Sequence, residues 1–147
     1  MKCPWLVALT VALAFPAHSG TTDVVTELSQ RTGMSVTELN SLLSHCESTQ
    51  LSMNMCAFRD SVAAEIKMNQ LLQALSSRLN KADRQALAKE QANWSSHEKA
   101  KCNVLTDREV GRGSMRPLVY GNCMSAATQE RIKQLQSGRA SYPLTGF

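Results

Sequence analysis

The sequence predicts an all-α fold, a small helical bundle stapled by disulfides. Apolar residues recur at three- and four-residue spacing through most of the chain, and no alternating apolar–polar run typical of a strand competes with them. Four cysteines follow a leader-like N-terminus, an even number that is typical of a disulfide framework in a small exported protein. The length of 147 residues suits a single domain, and no internal repeat is present.

Residues 1–19 predict a secretory signal peptide. Lys2 gives the start a positive charge, an apolar run follows over residues 5–15, and Ala17 and Ser19 are the small residues that a signal peptidase requires. The apolar run is shorter than the roughly 20 residues of a membrane-spanning helix. We therefore expect cleavage after Ser19 and a mature protein without an integral membrane segment, either periplasmic or secreted.

Residues 20–45 predict an N-terminal helical extension. An amphipathic helix over residues 23–31 should stop at Gly33, and a second helix should begin after Ser35 as N-cap and continue to His45. This helix pair also reads like a helix-turn-helix DNA reader. A protein that is exported does not encounter DNA, and the net charge of +4 is too small to indicate a nucleic-acid partner.

Two long helices should form the body of the bundle. The first covers residues 55–79, where apolar residues recur with the helical period. Asn80 and Asp83 can cap the second. Its inward stripe comprises Leu87, Gln91, Trp94, Cys102 and Leu105. We interpret Gln91 and Trp94 as structural core residues, because they lie one helical turn apart in this stripe.

The C-terminal third predicts a loop, a helix and a tail. Several glycines and Pro117 indicate a long loop over residues 103–122. The last helix should cover residues 123–136. Glycines and a proline in residues 137–147 indicate a flexible C-terminal tail.

The cysteines of the mature chain are expected to form two disulfides. They are Cys46, Cys56, Cys102 and Cys123. Three pairings are possible, and we favour Cys56 with Cys102, leaving Cys46 with Cys123, because antiparallel long helices joined near Asn80 would bring Cys56 and Cys102 to the same end. No Cys-x-x-Cys pair is present, so neither a metal nor another cofactor is expected.

Catalytic residues are not expected. The sequence contains no His-Glu-x-x-His, Gly-x-Ser-x-Gly or glycine-rich phosphate motif. His45 lies beside Cys46, but a cysteine in an oxidising compartment is more often bridged than nucleophilic. For Glu98 we expect an ion pair with Arg131 or a solvent contact at the helix edge, rather than acid–base chemistry. The sequence therefore favours a non-enzymatic protein.

Motifs in three parts of the chain resemble those of the LprI-like family. The first is Cys-x-x-Thr-Gln-x-x-Met-Asn-x-Cys-Ala over residues 46–57. The second is Gln91-x-x-Trp94 followed by Cys102. The third comprises Gly113, Ser114, Cys123, Thr128, Arg131 and Leu135. The resemblance defines an LprI-like helical domain over residues 46–136.

Two elements of the family pattern are altered in this chain. The family's Leu-Asn-x-x-Tyr element appears as Met-Asn-Gln-Leu-Leu at residues 68–72, without the tyrosine. Its Tyr-Arg-Asp after the tryptophan is replaced by His-Glu-Lys at residues 97–99. The helical extension before Cys46 lies outside the matched pattern.

The resemblance implies a small exported protein that inhibits a lysozyme, because the family is named after a lysozyme inhibitor. The partner would be a lysozyme-like glycan hydrolase. One alternative is an immunity protein against a cell-wall toxin. Another is an envelope accessory or structural module that binds a different envelope protein and has no hydrolase target.

A candidate partner-binding loop lies inside the predicted long connection. It comprises Arg112, Gly113, Ser114, Met115 and Arg116. The two arginines can form bidentate pairs with the carboxylates that line a lysozyme cleft, and the glycine allows close approach of the backbone. We expect insertion of this loop to block the cleft without chemistry. The simpler interpretation is a solvated connection whose arginines pair with Glu109 or the nearest helix.

Overall fold

The computed structural model describes residues 23–138 as a bundle of five helices. They are α1 (Val24–Thr32), α2 (Val36–Leu43), α3 (Gln50–Ser76), α4 (Lys81–Val110) and α5 (Arg116–Gln136). No strand occurs within the described residues, which confirms the all-α prediction. The predicted signal peptide and residues 139–147 of the predicted tail lie outside them.

Local capping chemistry sets the bounds of α1 and α2. The Asp23 side chain accepts a hydrogen bond from the Thr26 N–H, and α1 ends at Gly33, whose φ of 73° is left-handed. Ser35 and Glu38 form the reciprocal capping box that their spacing predicts. Hydrogen bonds from the Ser35 hydroxyl and backbone N–H lower the pKa of Glu38 below its usual value.

The N-terminal helix pair packs on one side of α3. Leu28 of α1, Leu39 of α2 and Val62 of α3 are completely buried in one apolar cluster. At its edge, Arg31 donates to the Glu65 carboxylate on α3 at 2.7 Å. The extension is therefore an integral part of the fold rather than a separate unit.

The tightest helix contact joins α3 to α5, the pair with the most extensive packing in the bundle. A Cβ built at Gly121 would lie 3.0 Å from the backbone carbonyl carbon and oxygen of Ala57. No side chain fits in this space without moving one helix. Gly121 therefore permits the close approach of the two helices.

Helix α4 packs chiefly against α5 rather than against α3. Only Leu87, Cys102 and Thr106 are buried among its residues. Near the α3–α4 turn, a second apolar cluster ties the three helices together. Its buried members are Met68, Leu87, Ile132 and Leu135.

The prediction of a long loop before the last helix was wrong. Helix α4 continues to Val110 and α5 already begins at Arg116, so the connection is the short turn of residues 111–115. Pro117 belongs to the first turn of α5, where a missing N–H costs nothing. Gly121, which is expected in the loop, is instead a buried residue of α5 that packs against Ala57 of α3.

Other helix bounds shift by a few residues. Helix α3 begins at Gln50 behind the N-cap Thr49, earlier than the expected residue 55, and ends at Ser76. Helix α4 begins at the predicted place, since the Asn80 side chain accepts from the Asp83 N–H at 2.9 Å.

The favoured disulfide pairing was also wrong, although the expectation of two disulfides was right. Cys46 is bonded to Cys56, and Cys102 to Cys123, with Cα–Cα distances of 5.8 and 5.7 Å. Because α4 packs on α5, Cys102 meets a residue of that helix rather than of α3. Cys46 lies just before α3 and is bonded to a cysteine in the second turn of that helix. Two disulfides indicate an extracytoplasmic, oxidising compartment.

Candidate functional site

The turn between α4 and α5, residues 111–115, has a defined backbone conformation. Gly111 has a left-handed φ of 58°, a value that side chains rarely allow. The Gly113 N–H donates to the Val110 carbonyl at 3.3 Å, and the Arg116 N–H donates to the Gly113 carbonyl at 3.0 Å. These consecutive bonds make the turn a compact corner rather than a free loop.

A buried asparagine anchors this turn to the start of α3. The Asn54 side-chain amide donates to the Ser114 carbonyl at 3.1 Å. Its own oxygen accepts from the Gln50 side chain at 2.9 Å, which fixes the orientation of the amide. The turn is therefore held against a third helix, in addition to the two that it connects.

The two arginines of the predicted loop have different surroundings. The Arg116 guanidinium donates to the carboxylate of Asp107, and to the Asn103 side chain at 3.0 Å. The Arg116 guanidinium also donates to the Gly111 carbonyl at 3.4 Å, so its side chain stabilises the conformation of the turn. Arg112 is exposed and makes no ion pair with any described residue.

The exposed edge of the turn combines charge, hydroxyl and apolar groups. Arg112, Ser114 and Met115 are all exposed. Met115 is 44% exposed, and Leu51, one helical turn before the anchoring Asn54, is 49% exposed. We call residues 112–115 the tip edge. Such a mixture of apolar and polar groups is typical of protein interfaces.

Both disulfides brace the end of the bundle that carries the tip edge. Cys56 precedes Ala57, the residue against which Gly121 packs, and Cys123 follows Gly121 by two positions. The Cys102–Cys123 bond links the two helices that flank the turn. A rigid edge loses less conformational entropy on binding than a mobile one.

Gln91 and Trp94, predicted as core residues, surround a buried arginine. Arg131 is 3% exposed and donates to Glu90 at 2.5 Å and to the Gln91 side-chain oxygen at 3.2 Å. Its guanidinium carbon lies 5.7 Å from the centre of the Trp94 ring, within cation–π range. This arrangement satisfies a buried charge and requires no chemical role.

Sequence reasoning missed five residues of these two arrangements. For Glu98 it expected an ion pair with Arg131 or a solvent contact, but Glu98 accepts from Lys101 at 3.1 Å and Glu90 pairs with the arginine. It also gave no role to the residues that hold the turn, which are Gln50, Asn54, Asn103 and Asp107. Helical register could have suggested Glu90, since it directly precedes Gln91, but the Asn54 contact joins residues 60 apart in sequence.

Neither a metal centre nor a membrane span is found within residues 23–138. No three residues among the described His, Cys, Asp and Glu side chains lie close enough to hold a metal ion. All four described cysteines are in disulfides. None of the five helices is both long and apolar enough to cross a bilayer.

Comparison with known proteins gives one family. Residues 44–135 match the family described as "Lysozyme inhibitor LprI". An uncharacterized protein of Rhizobium meliloti (strain 1021) is 25% identical over 101 residues, which cover 60% of this chain and 72% of that protein. No solved structure matches the chain. The matched range includes both disulfides, the tip edge and the Arg131 cluster.

Proposed function

Since the chain belongs to the LprI lysozyme inhibitor family, we propose that it inhibits a lysozyme-type muramidase by placing the tip edge in the enzyme's substrate cleft. Family membership supports a lysozyme-like glycan hydrolase as the class of partner. The observation that supports the tip edge is Arg112, which is exposed and makes no ion pair with any residue from 23 to 138. It lies on a turn that disulfides and hydrogen bonds hold rigid.

The chemistry of the cleft suits this edge. Lysozyme-type enzymes carry a pair of carboxylates on either side of the scissile bond. The Arg112 guanidinium can pair with one of them through two parallel hydrogen bonds. Ser114 adds a hydroxyl and Met115 an adaptable apolar side chain that can fill a sugar subsite. The edge would therefore occupy the cleft and offer no bond to cleave.

Arg116 has a supporting role in this proposal. Its guanidinium is engaged by Asp107 and Asn103, so pairing with a muramidase carboxylate would require breaking these contacts. It keeps the turn in shape while Arg112 makes the contact. The function thus depends on one exposed arginine rather than two.

Net charge limits the choice of target. The chain carries 16 Lys and Arg against 12 Asp and Glu. A strongly basic lysozyme would be repelled at long range, which slows encounter and weakens binding. We therefore expect a neutral or acidic muramidase as partner. The encounter would take place in the periplasm or outside the cell, and the chain would act as a binding protein without catalysis.

Titration of the chain into a muramidase lysis assay tests the proposal. We expect inhibition at near-stoichiometric amounts, and a loss of about tenfold or more in potency for Arg112→Ala, as for a central interface arginine. Arg108→Ala is the matched control, because Arg108 is an exposed arginine on the last turn of α4. Equal potency of the two variants would contradict the role of the tip edge. Failure to inhibit neutral, acidic and basic muramidases alike would contradict the function itself.

A further inference from the structure

We propose that a groove between α3 and α4, remote from the tip edge, binds a short anionic glycan built from N-acetylated amino sugars. The α3–α4 groove has a volume of about 560 Å³, within the range of roughly 300–1,000 Å³ that is usual for small-ligand sites. Helices α3 and α4 form its walls, and Met124 and Thr128 of α5 form its floor. Muramidase inhibition through Arg112 does not depend on this site.

The apolar part of the groove is a recess rather than a projecting face. Met68, Leu72, Leu87 and Trp94 line it together with Met124. All five are buried or half-buried, and the exposed large hydrophobic residues of the described chain lie elsewhere. A docking surface for a protein helix would present more of these side chains to solvent. The shape therefore fits a small ligand that inserts between two walls.

Amide and hydroxyl groups run along both walls. Asn69 and Gln73 lie on α3, and Gln91 and Ser95 on α4. The Gln91 amide nitrogen donates to the Met68 sulfur at 3.4 Å. Sulfur is a weak acceptor, so this N–H would form a stronger hydrogen bond with a ligand oxygen. A ligand with many hydroxyl and acetamido groups uses these partners, whereas an acyl chain leaves them unused. The Trp94 ring adds an apolar surface for the CH groups of a sugar ring.

The charges at the rim favour an acidic ligand. Arg84 and Lys99 line the α4 wall, and neither forms an ion pair with a described residue. Among the described residues that line the groove, Glu65 is the only carboxylate, and it is bound to Arg31 at 2.7 Å. The two free cations lie roughly 22 Å apart along the helix axis. A single acidic sugar could form an ion pair with one of these cations, and only a longer glycan could reach both.

Fluorescence titration of the full chain tests this site. The chain has two tryptophans, Trp5 in the predicted signal peptide and Trp94 in the groove wall. A Trp5→Phe background therefore leaves Trp94 as the sole reporter whether or not the leader has been removed. The probes are a disaccharide of N-acetylglucosamine and N-acetylmuramic acid, and the neutral di-N-acetylchitobiose as its uncharged match. We expect a saturable change with both probes, and roughly three- to tenfold tighter binding of the muramyl disaccharide.

Charge variants on α4 complete the test. In the same background, Arg84→Ala with Lys99→Ala should remove the preference for the acidic disaccharide, while Lys89→Ala, an exposed lysine outside the groove lining, should keep it. The double variant should still inhibit muramidase, which separates a failure here from a failure of the proposed function. An anionic single-chain detergent is titrated as the acyl-chain control. No saturable signal with either sugar, equal affinity for both, or a response to the detergent alone would each overturn the assignment.

Discussion

Arg131 is the charged side chain that the described part of the bundle buries most completely. A guanidinium at 3% exposure is tolerated only because Glu90, Gln91 and the Trp94 ring surround it. The motif residues at positions 91, 94 and 131 thus act as one unit, which joins α4 to α5. Within this unit their role is structural, and it explains why three separated sequence elements belong together.

Replacement of Glu90 by alanine tests this unit. We expect Glu90→Ala to lower the free energy of unfolding by about 2–3 kcal/mol, because it leaves a buried charge without its counter-ion, although Glu90 itself is partly solvated. Glu130→Ala removes the pair with Lys133, in which both side chains are exposed, and should cost less than about 1 kcal/mol. Urea denaturation of both variants measures the difference. Similar losses for the two would show that Arg131 does not depend on Glu90.

The two arginines of the tip region show the limit of sequence reasoning at the residue scale. Arg112 and Arg116 look equivalent in the sequence, and both were expected to contact a partner. Only the position of the α4 end places Asp107 and Asn103 within reach of Arg116. Side-chain pairing across a turn depends on where the helices end, and the end of α4 was predicted wrongly.

At the scale of helices, the spacing of α3 and α5 depends on one residue. Gly121→Ala should lower the free energy of unfolding by about 1–2 kcal/mol, because the new Cβ presses on the Ala57 backbone and this outweighs the better helix propensity of alanine. Asn122→Ala, at the next and exposed position, should change stability by less than about 0.5 kcal/mol. Thermal or urea unfolding checks both. A stabilised Gly121→Ala chain would show that the helices separate without cost.

Peptide mapping without reduction tests how the disulfides join the helices. No trypsin site lies between Arg31 and Arg59, so one tryptic peptide contains both Cys46 and Cys56. This peptide should carry an internal disulfide. Cys102 and Cys123 should appear as two cross-linked peptides. Mass spectrometry distinguishes this from the pairing favoured by sequence alone, which would link the Cys46–Cys56 peptide to the other two. Detection of that larger species would contradict the described pairing.

Helix starts were easier to predict than helix ends and connections. The capping box at Ser35 and Glu38 and the N-cap Asn80 follow from hydrogen bonds between residues three apart, so the sequence contains the whole interaction. Gly121 and Pro117 are each compatible with a loop or with a helix, and the packing of a neighbouring helix decides between the two. The α4–α5 turn was therefore predicted too long.

For the whole molecule, composition and periodicity were enough for the fold class and for the presence of two disulfides. They could not reveal the α3–α4 groove, because it lies between two helices that pack on α5 rather than on each other. They also could not place the tip edge beside Asn54, which is distant in sequence. Long-range packing decides both features, and a single sequence carries little information on it.

In our proposal the chain inhibits by occupying a muramidase cleft. Calorimetric titration of the full chain into a neutral or acidic lysozyme-type muramidase, with the cleft either free or blocked by a covalent label, is the decisive test of this claim. We predict one-to-one binding to the free enzyme and loss of binding to the blocked one. Equal affinity for the two forms would contradict the claim, as would absence of binding to every lysozyme type tried.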